Sequence, residues 1–189
     1  LIPNIVIMAP KDENELRQML ASALMDPHPV ALRYPRGSGF GVPIEEEPSL
    51  LPLGKGEVLR EGKDVAFLTI GAMVHNCELA ADILAEQNIK AGVVNLRFAK
   101  PLDKELILKT AMQYRCLVTV EENALHGGLG SAIMELLNEA GLHDVKVLRL
   151  GIPDRFIEHG ARALLLRDLA LDETGIARQT ELFLEKYGV

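Results

Sequence analysis

Tryptophan is absent from this chain, and aromatic residues of any kind make up only 4% of it. No basic face interleaved with aromatic rings can be assembled from so few, which removes the usual stacking platform for single-stranded nucleic acid. Positive charge is also in deficit. Lys and Arg number 20 against 27 Asp and Glu, a net charge of −7, the wrong sign for a nucleic-acid or anionic-membrane surface. No apolar run approaches the roughly 18 residues that a membrane span requires, and no stretch reads as a signal peptide. There are two cysteines. Cys77 and Cys116 lack CxxC spacing, so they read as buried reduced thiols of an intracellular, cytoplasmic protein. No HExxH or paired CxxC spacing suggests a metal site.

What is present is an ample core. Hydrophobic residues make up 48% of 189 positions, enough for one or two domains. The chain is organised around Ala31-Leu32-Arg33-Tyr34-Pro35-Arg36-Gly37. An apolar strand runs here into two arginines. Pro35 withholds a backbone donor, so the ladder should end near Tyr34. Polar residues at the carboxyl edge of an open α/β sheet are placed where ligands bind. Arginine presents a rigid fork of donors suited to phosphate or carboxylate. Arg36 is favoured over Arg33 as an anion ligand. The alternative is a solvated arginine paired with Glu45-Glu46-Glu47, since arginines are mostly surface residues.

In chain order, Asn4 to Ala9 reads as a buried strand. Asp12 with Glu15 forms a capping-box-like pair, and Leu16, Met19, Leu20, Ala23 and Leu24 share one helical face. Val30 to Tyr34 is a second strand, completing a βαβ unit. Such a unit of roughly 37 residues cannot bury its own faces. It must dock on something outside this sequence or on the following domain. Residues 38–54, rich in Pro and Gly, read as a semi-stiff tether. A chain that opens at Leu1 inside an apolar segment reads as a fragment. Residues 1–37 are thus the end of one domain, 38–54 a linker, and 55–189 a complete domain.

That domain alternates strands and helices. Gly56–Arg60 and Val65–Ile70 read as a hairpin. Helices are expected over about 74–87, 104–113, 161–169 and 173–187, with another opened by Gly127-Gly128-Leu129-Gly130-Ser131. Strands are expected over 91–96, 116–120 and 145–150. The predicted fold class is α/β: a mostly parallel sheet with helices on both faces and one antiparallel edge strand.

Other candidate residues weigh less. Glu121-Glu122-Asn123 follow a strand, and two carboxylates could do acid–base work, but adjacent residues point apart, which favours a structural role. The glycines at 127, 128 and 130 could cradle a phosphate. They lack GxGxxG and follow the third core strand, so close packing is the simpler reading. His126 and His159 read as loop or turn residues and His75 as a solvated one.

The ordered set Asn4-Ile-Val-Ile-Met-Ala-Pro-Lys-Asp-Glu-Asn-Glu-Leu, Leu32-Arg-Tyr-Pro-Arg-Gly, Leu53-Gly-Lys-Gly, Arg97-Phe-Ala-Lys-Pro-Leu-Asp, Thr119-Val-Glu-Glu-Asn with Gly127-Gly-Leu-Gly-Ser, and Gly151-Ile-Pro-Asp resembles the C-terminal third of the 1-deoxy-D-xylulose-5-phosphate synthase family. These are thiamine-diphosphate enzymes related to transketolase, condensing pyruvate with glyceraldehyde 3-phosphate with loss of carbon dioxide. The resemblance implies that residues 1–37 end the pyrimidine-binding domain and that 55–189 are a transketolase C-terminal domain supporting a homodimer. It also implies that Arg36 grips the glyceraldehyde 3-phosphate phosphate. It places the thiamine diphosphate and Mg2+ ligands upstream of Leu1, so the chain alone is expected to be inactive without the N-terminal remainder of its enzyme. Rival readings are the matching part of a transketolase or of a 2-oxo-acid dehydrogenase E1 β subunit, and a non-catalytic interaction module.

Overall fold

The computed structural model, which describes residues 2–188, contains a three-stranded and a five-stranded sheet. In the smaller sheet, β1 (Val6–Met8) pairs in parallel with β2 (Val30–Leu32), and α1 (Glu13–Met25) joins them. The strand expected to reach Tyr34 ends its ladder at Leu32, with one further bond from the Arg33 N–H to Met8 O at 2.9 Å. Asp12 caps α1 by accepting from the Glu15 N–H at 2.7 Å. The return bond of the expected capping box shifts by one residue: buried Glu15 accepts from the Lys11 N–H at 2.7 Å.

The predicted apolar face of α1 is only partly covered. Met19 is fully buried, whereas Leu20 and Leu24 are 54% and 80% exposed. A sheet this narrow can shield only a strip of the helix. The polar side of α1 holds the tether instead. Residues 38–54 have no regular secondary structure. The Glu13 carboxylate accepts from the N–H groups of Phe40 and Val42 at 3.0 and 3.1 Å, and Ser22 Oγ accepts from the Leu51 N–H at 2.8 Å.

The third strand of this sheet was not legible in advance. It is β6 (Phe98–Lys100), antiparallel to β1 and contributed by the following domain. Val6, Met8, Met19 and Phe98 form the small core between them. The βαβ unit therefore packs one side on the following domain.

The larger sheet contains β3 (Glu57–Arg60), β4 (Val65–Thr69), β5 (Ala91–Asn95), β7 (Cys116–Ala124) and β8 (Lys146–Ile152), in the order β3-β5-β4-β7-β8. All neighbours are parallel except β3, which is antiparallel and lies at the edge. The fold class is the one expected, but the hairpin is not. β3 pairs with β5 rather than with β4, whose two sides are taken by β5 and β7. The connection passes over the start of β5, where Lys90 O accepts from the N–H groups of Lys63 and Asp64 at 3.0 and 3.1 Å. The chain thus emerges one strand further out than a tight turn would allow.

Helices cover both faces. α2 (Met73–Glu86), α5 (Arg162–Asp168) and α6 (Glu173–Tyr187) pack on one side through Cys77, Ala81, Leu84, Leu166, Ile176 and Leu184. α3 (Lys104–Gln113) and α4 (Leu129–Glu139) pack on the other through Ile107, Ile133 and Leu137. A second correction concerns β7, expected to stop at Val120. It continues to Ala124 after a register shift against β8, so Glu121, Glu122 and Asn123 lie within the strand. Among the described residues no helix is long and apolar enough to cross a membrane.

Candidate substrate cleft

Where β2 ends, Arg33, Tyr34 and Pro35 form one lip of a cleft of about 590 Å³. Glu121–Asn123 of β7 and Gly127–Leu129 at the start of α4 form the facing wall, and Gly71 and Ala72 line it between β4 and α2. The cleft therefore lies at the carboxyl ends of parallel strands from both sheets, the general ligand position of open α/β sheets. Gly71 turns the chain from β4 into α2 at φ +68, where a Cβ would come within 3.2 Å of the Ala9 side chain. Both the left-handed backbone and the close approach of the two units favour glycine there.

The two arginines of the motif separate. Arg33 is exposed on the larger cleft, and its Nη2 donates to the Glu122 carbonyl at 3.1 Å. Arg36 lines an adjoining cleft of about 350 Å³ together with Arg162 and Leu165, and Pro35, Glu122 and Ile152 are shared by both clefts. Glu122 binds Arg162 through two parallel bonds, at 2.7 and 2.6 Å, the fork-to-carboxylate geometry that arginine favours. The acidic run does not take up Arg36. Arg17 donates to the carbonyls of Glu45 and Glu46, and Gln18 to the Glu45 carboxylate.

Glu121 points the other way, as neighbours on a strand must. It is buried, and its two oxygens accept from the N–H groups of Leu129 and Gly130, each at 2.8 Å. Those are orphan donors of the first turn of α4. The glycine-rich segment thus cradles an anion, but the anion is the protein's own carboxylate. A Cβ at position 128 would collide with Ala124 O and with both Glu121 oxygens, Oε1 at 2.7 Å. His126 and His159 are exposed. His75 is exposed and packs its ring 4.6 Å from that of Phe40 in the tether.

A buried polar cluster joins the two units beneath the cleft. Glu15 on α1 accepts from Arg97 Nε at 2.8 Å, from Asn95 Nδ2 at 3.0 Å and from Lys11 Nζ at 3.2 Å. Glu57 on β3 accepts from Lys11 at 2.8 Å and lies 2.5 Å from Arg97 Nη2. Burial opposes the charge on Lys11, but the Glu57 and Glu15 carboxylates outweigh it and hold its pKa above the ordinary value. Burial likewise opposes the charge on Glu57, and Lys11 and Arg97 outweigh it, lowering that pKa.

The sequence profile of the transketolase C-terminal domain matches residues 54–176. The chain belongs to the transketolase C-terminal domain family. It is 56% identical over 188 residues to a 1-deoxy-D-xylulose-5-phosphate synthase of Thermomicrobium roseum, and 52% identical over 187 residues to one of Geobacter sulfurreducens. Each match covers 99% of this chain and 30% and 29% of the respective relative, so the chain spans less than a third of their length. Among solved structures, a split-gene transketolase described as an inactive β4 tetramer superposes with a TM-score of 0.86 at 32% identity, over 98% of this chain and 59% of that one. A transketolase of Pichia stipitis shares the fold at a TM-score of 0.72 and 22% identity, over 98% of this chain and 26% of that one.

Among the described residues no three carboxylate, His or Cys side chains converge on a metal position. The N–H donors of α4 that could meet a diphosphate are already bonded to Glu121. Sequence reasoning placed Arg33 second and did not single out Arg162, Arg97 or Glu57. No local signal marked them, because their side-chain partners lie 38 to 89 positions away in the chain.

Proposed function

We propose that this chain is the C-terminal portion of a 1-deoxy-D-xylulose-5-phosphate synthase, which condenses pyruvate with glyceraldehyde 3-phosphate and releases carbon dioxide. The observation that carries this reading is 56% identity to such a synthase across 99% of the chain. In this reading residues 1–37 close the pyrimidine-binding domain, 38–54 link, and 55–189 form the domain that supports a homodimer. The parent acts in the cytoplasm, where the buried free thiols of Cys77 and Cys116 stay reduced. Thiamine diphosphate and Mg2+ are held by the N-terminal remainder, and the chain alone is inactive.

The contribution of this chain is to bind and orient substrate. Arg36 grips the phosphate of glyceraldehyde 3-phosphate, and Arg33, on the neighbouring lip, adds positive charge to the same edge. Both follow a strand end that Pro35 stiffens, so the guanidinium groups are presented with little backbone freedom. The test is steady-state kinetics of the full synthase carrying Arg36→Ala, with Arg33→Ala in parallel. Loss of a charge-assisted contact costs about 1.5–3 kcal/mol, or about 10- to 150-fold. That loss should fall on kcat/KM for glyceraldehyde 3-phosphate and spare the KM for pyruvate. Equal losses on both substrates would contradict the assignment.

A further inference from the structure

We propose that Glu15 is a positioning residue: with Arg97, Asn95, Lys11 and Glu57 it latches the β1–β2 unit to the larger sheet and so sets where Arg33 and Arg36 stand against the cleft wall. The functional consequence rests on the phosphate role given to those arginines above.

The geometry is that of a latch. Glu15 lies on α1, in the unit that carries the arginines, and accepts within that unit from the Lys11 N–H and Nζ; its side chain is 1% exposed, and it accepts as well from Arg97 and Asn95 of the other unit. Arg97 is itself only 12% exposed and takes φ +58, an uncommon conformation for a residue with a side chain. At that residue the chain leaves β5 of the larger sheet and enters β6 of the smaller one. The Ala9 N–H donates to Arg97 O at 3.0 Å, so the same residue is tied to β1 through its backbone. Lys11 follows β1 by three positions and reaches both carboxylates, at 3.2 and 2.8 Å. Apolar contact between the units is small: the core shared by β1, α1 and β6 has four fully enclosed side chains. Directional bonds from partly buried charges to the buried Glu15 fix an angle that so small an apolar patch leaves loose.

The experiment uses the 189-residue chain with spin labels on Leu24→Cys of α1 and Glu135→Cys of α4, both exposed; native Cys77 and Cys116 are buried. Pulsed dipolar spectroscopy gives the distance distribution between the units, and titration with inorganic phosphate gives anion affinity. Glu15→Ala should broaden or shift the distribution and weaken phosphate by at least about tenfold, since small misplacements of binding groups carry large penalties. If Glu15→Ala fails to fold, Glu57→Gln on the outer, half-exposed side of the cluster should give a smaller broadening in a folded chain. A narrow, unmoved distribution beside a lowered thermal midpoint would reduce Glu15 to ordinary structural support and overturn the proposal. Should the unmodified chain bind no phosphate, the reading of the arginines fails, while the distance distribution still decides the latch.

Discussion

Replacing Glu121 by alanine should destabilise the chain by about 3 kcal/mol, a value that follows from what its carboxylate meets. Two buried backbone N–H groups, of Leu129 and Gly130, each donate to it at 2.8 Å. Leaving one such donor unsatisfied costs about 1–3 kcal/mol. A negative charge at a helix N-terminus adds about 0.3–1 kcal/mol, more when partly buried. Against this, Gly128 and Leu129 border the cleft, so water can enter the space vacated and satisfy part of the loss. For a chain of this size, about 3 kcal/mol corresponds to a fall of roughly 6–12 °C in thermal midpoint. Urea unfolding with an unchanged slope is the cleaner assay. Glu121→Gln should not rescue, because its amide turns a donor toward a donor. Gly128→Ala should damage the same cap, since the added carbon meets the Glu121 oxygens and Ala124 O. The two substitutions should then be less than additive, as for residues in contact. A loss below about 1 kcal/mol for Glu121→Ala, or full stability in Glu121→Gln, would refute the account of α4 as a helix capped by an internal anion.

Two further outcomes follow from buried polar groups in the larger domain. The Tyr114 hydroxyl donates to Gly62 O and accepts from the Gly62 N–H, both at 2.9 Å, closing the connection that carries β3 past β5; Tyr114→Phe should cost about 1–3 kcal/mol by chemical denaturation, and no change would show that water replaces both bonds. Complete burial pushes the Cys77 thiol from its ordinary 9.0 up to about 12. Because the folded state holds that proton above the pH where the unfolded chain releases it, stability is full below pH 9 and declines toward pH 12, by at most about 1.4 kcal/mol per pH unit from this group. Cys77→Ala should flatten that alkaline decline, as followed by thermal midpoints across the range, and an unchanged decline would assign it to other groups.

Local patterns carried most of the larger domain into view. The helices expected over about 74–87, 104–113 and 173–187 correspond to α2, α3 and α6, and α3 and α6 are fixed locally by Asp103 and Asp172, which accept from N–H groups three positions on. Failures occurred where a residue's partner is remote in sequence. β3 looks like the first arm of a hairpin because its true neighbour, β5, lies some thirty residues further on. Glu15 looks like a cap alone because Asp12 stands at the right spacing; it does accept from the nearby Lys11 N–H, but its other partners, Asn95 and Arg97, are 80 and 82 positions away. At the site the motif was legible as chemistry, two arginines at a strand end, while its division between two clefts depends on Glu122 and Arg162, which approach from another sheet and another helix.

The crossing at Leu96 and Arg97 explains why the cleft exists at all. Were the β1–β2 unit held only by the tether, its edge could adopt many positions against the larger sheet, because residues 38–54 contribute no regular structure. Instead the Leu96 N–H donates to Thr69 O at 2.9 Å in one sheet, and two residues later Phe98 pairs with Met8 in the other. The carboxyl ends of β2, β4 and β7 are thereby brought to a common rim, the position that suits ligands in α/β sheets. Gly71 and Ala9, one from each unit, meet at that rim, where a Cβ on Gly71 would stand 3.2 Å from the Ala9 side chain. Arginines from the smaller unit and a wall from the larger one thus face each other beside this short stretch of backbone. Changes at Arg97 should accordingly disturb anion binding by moving the rim, although Arg97 lines neither cleft.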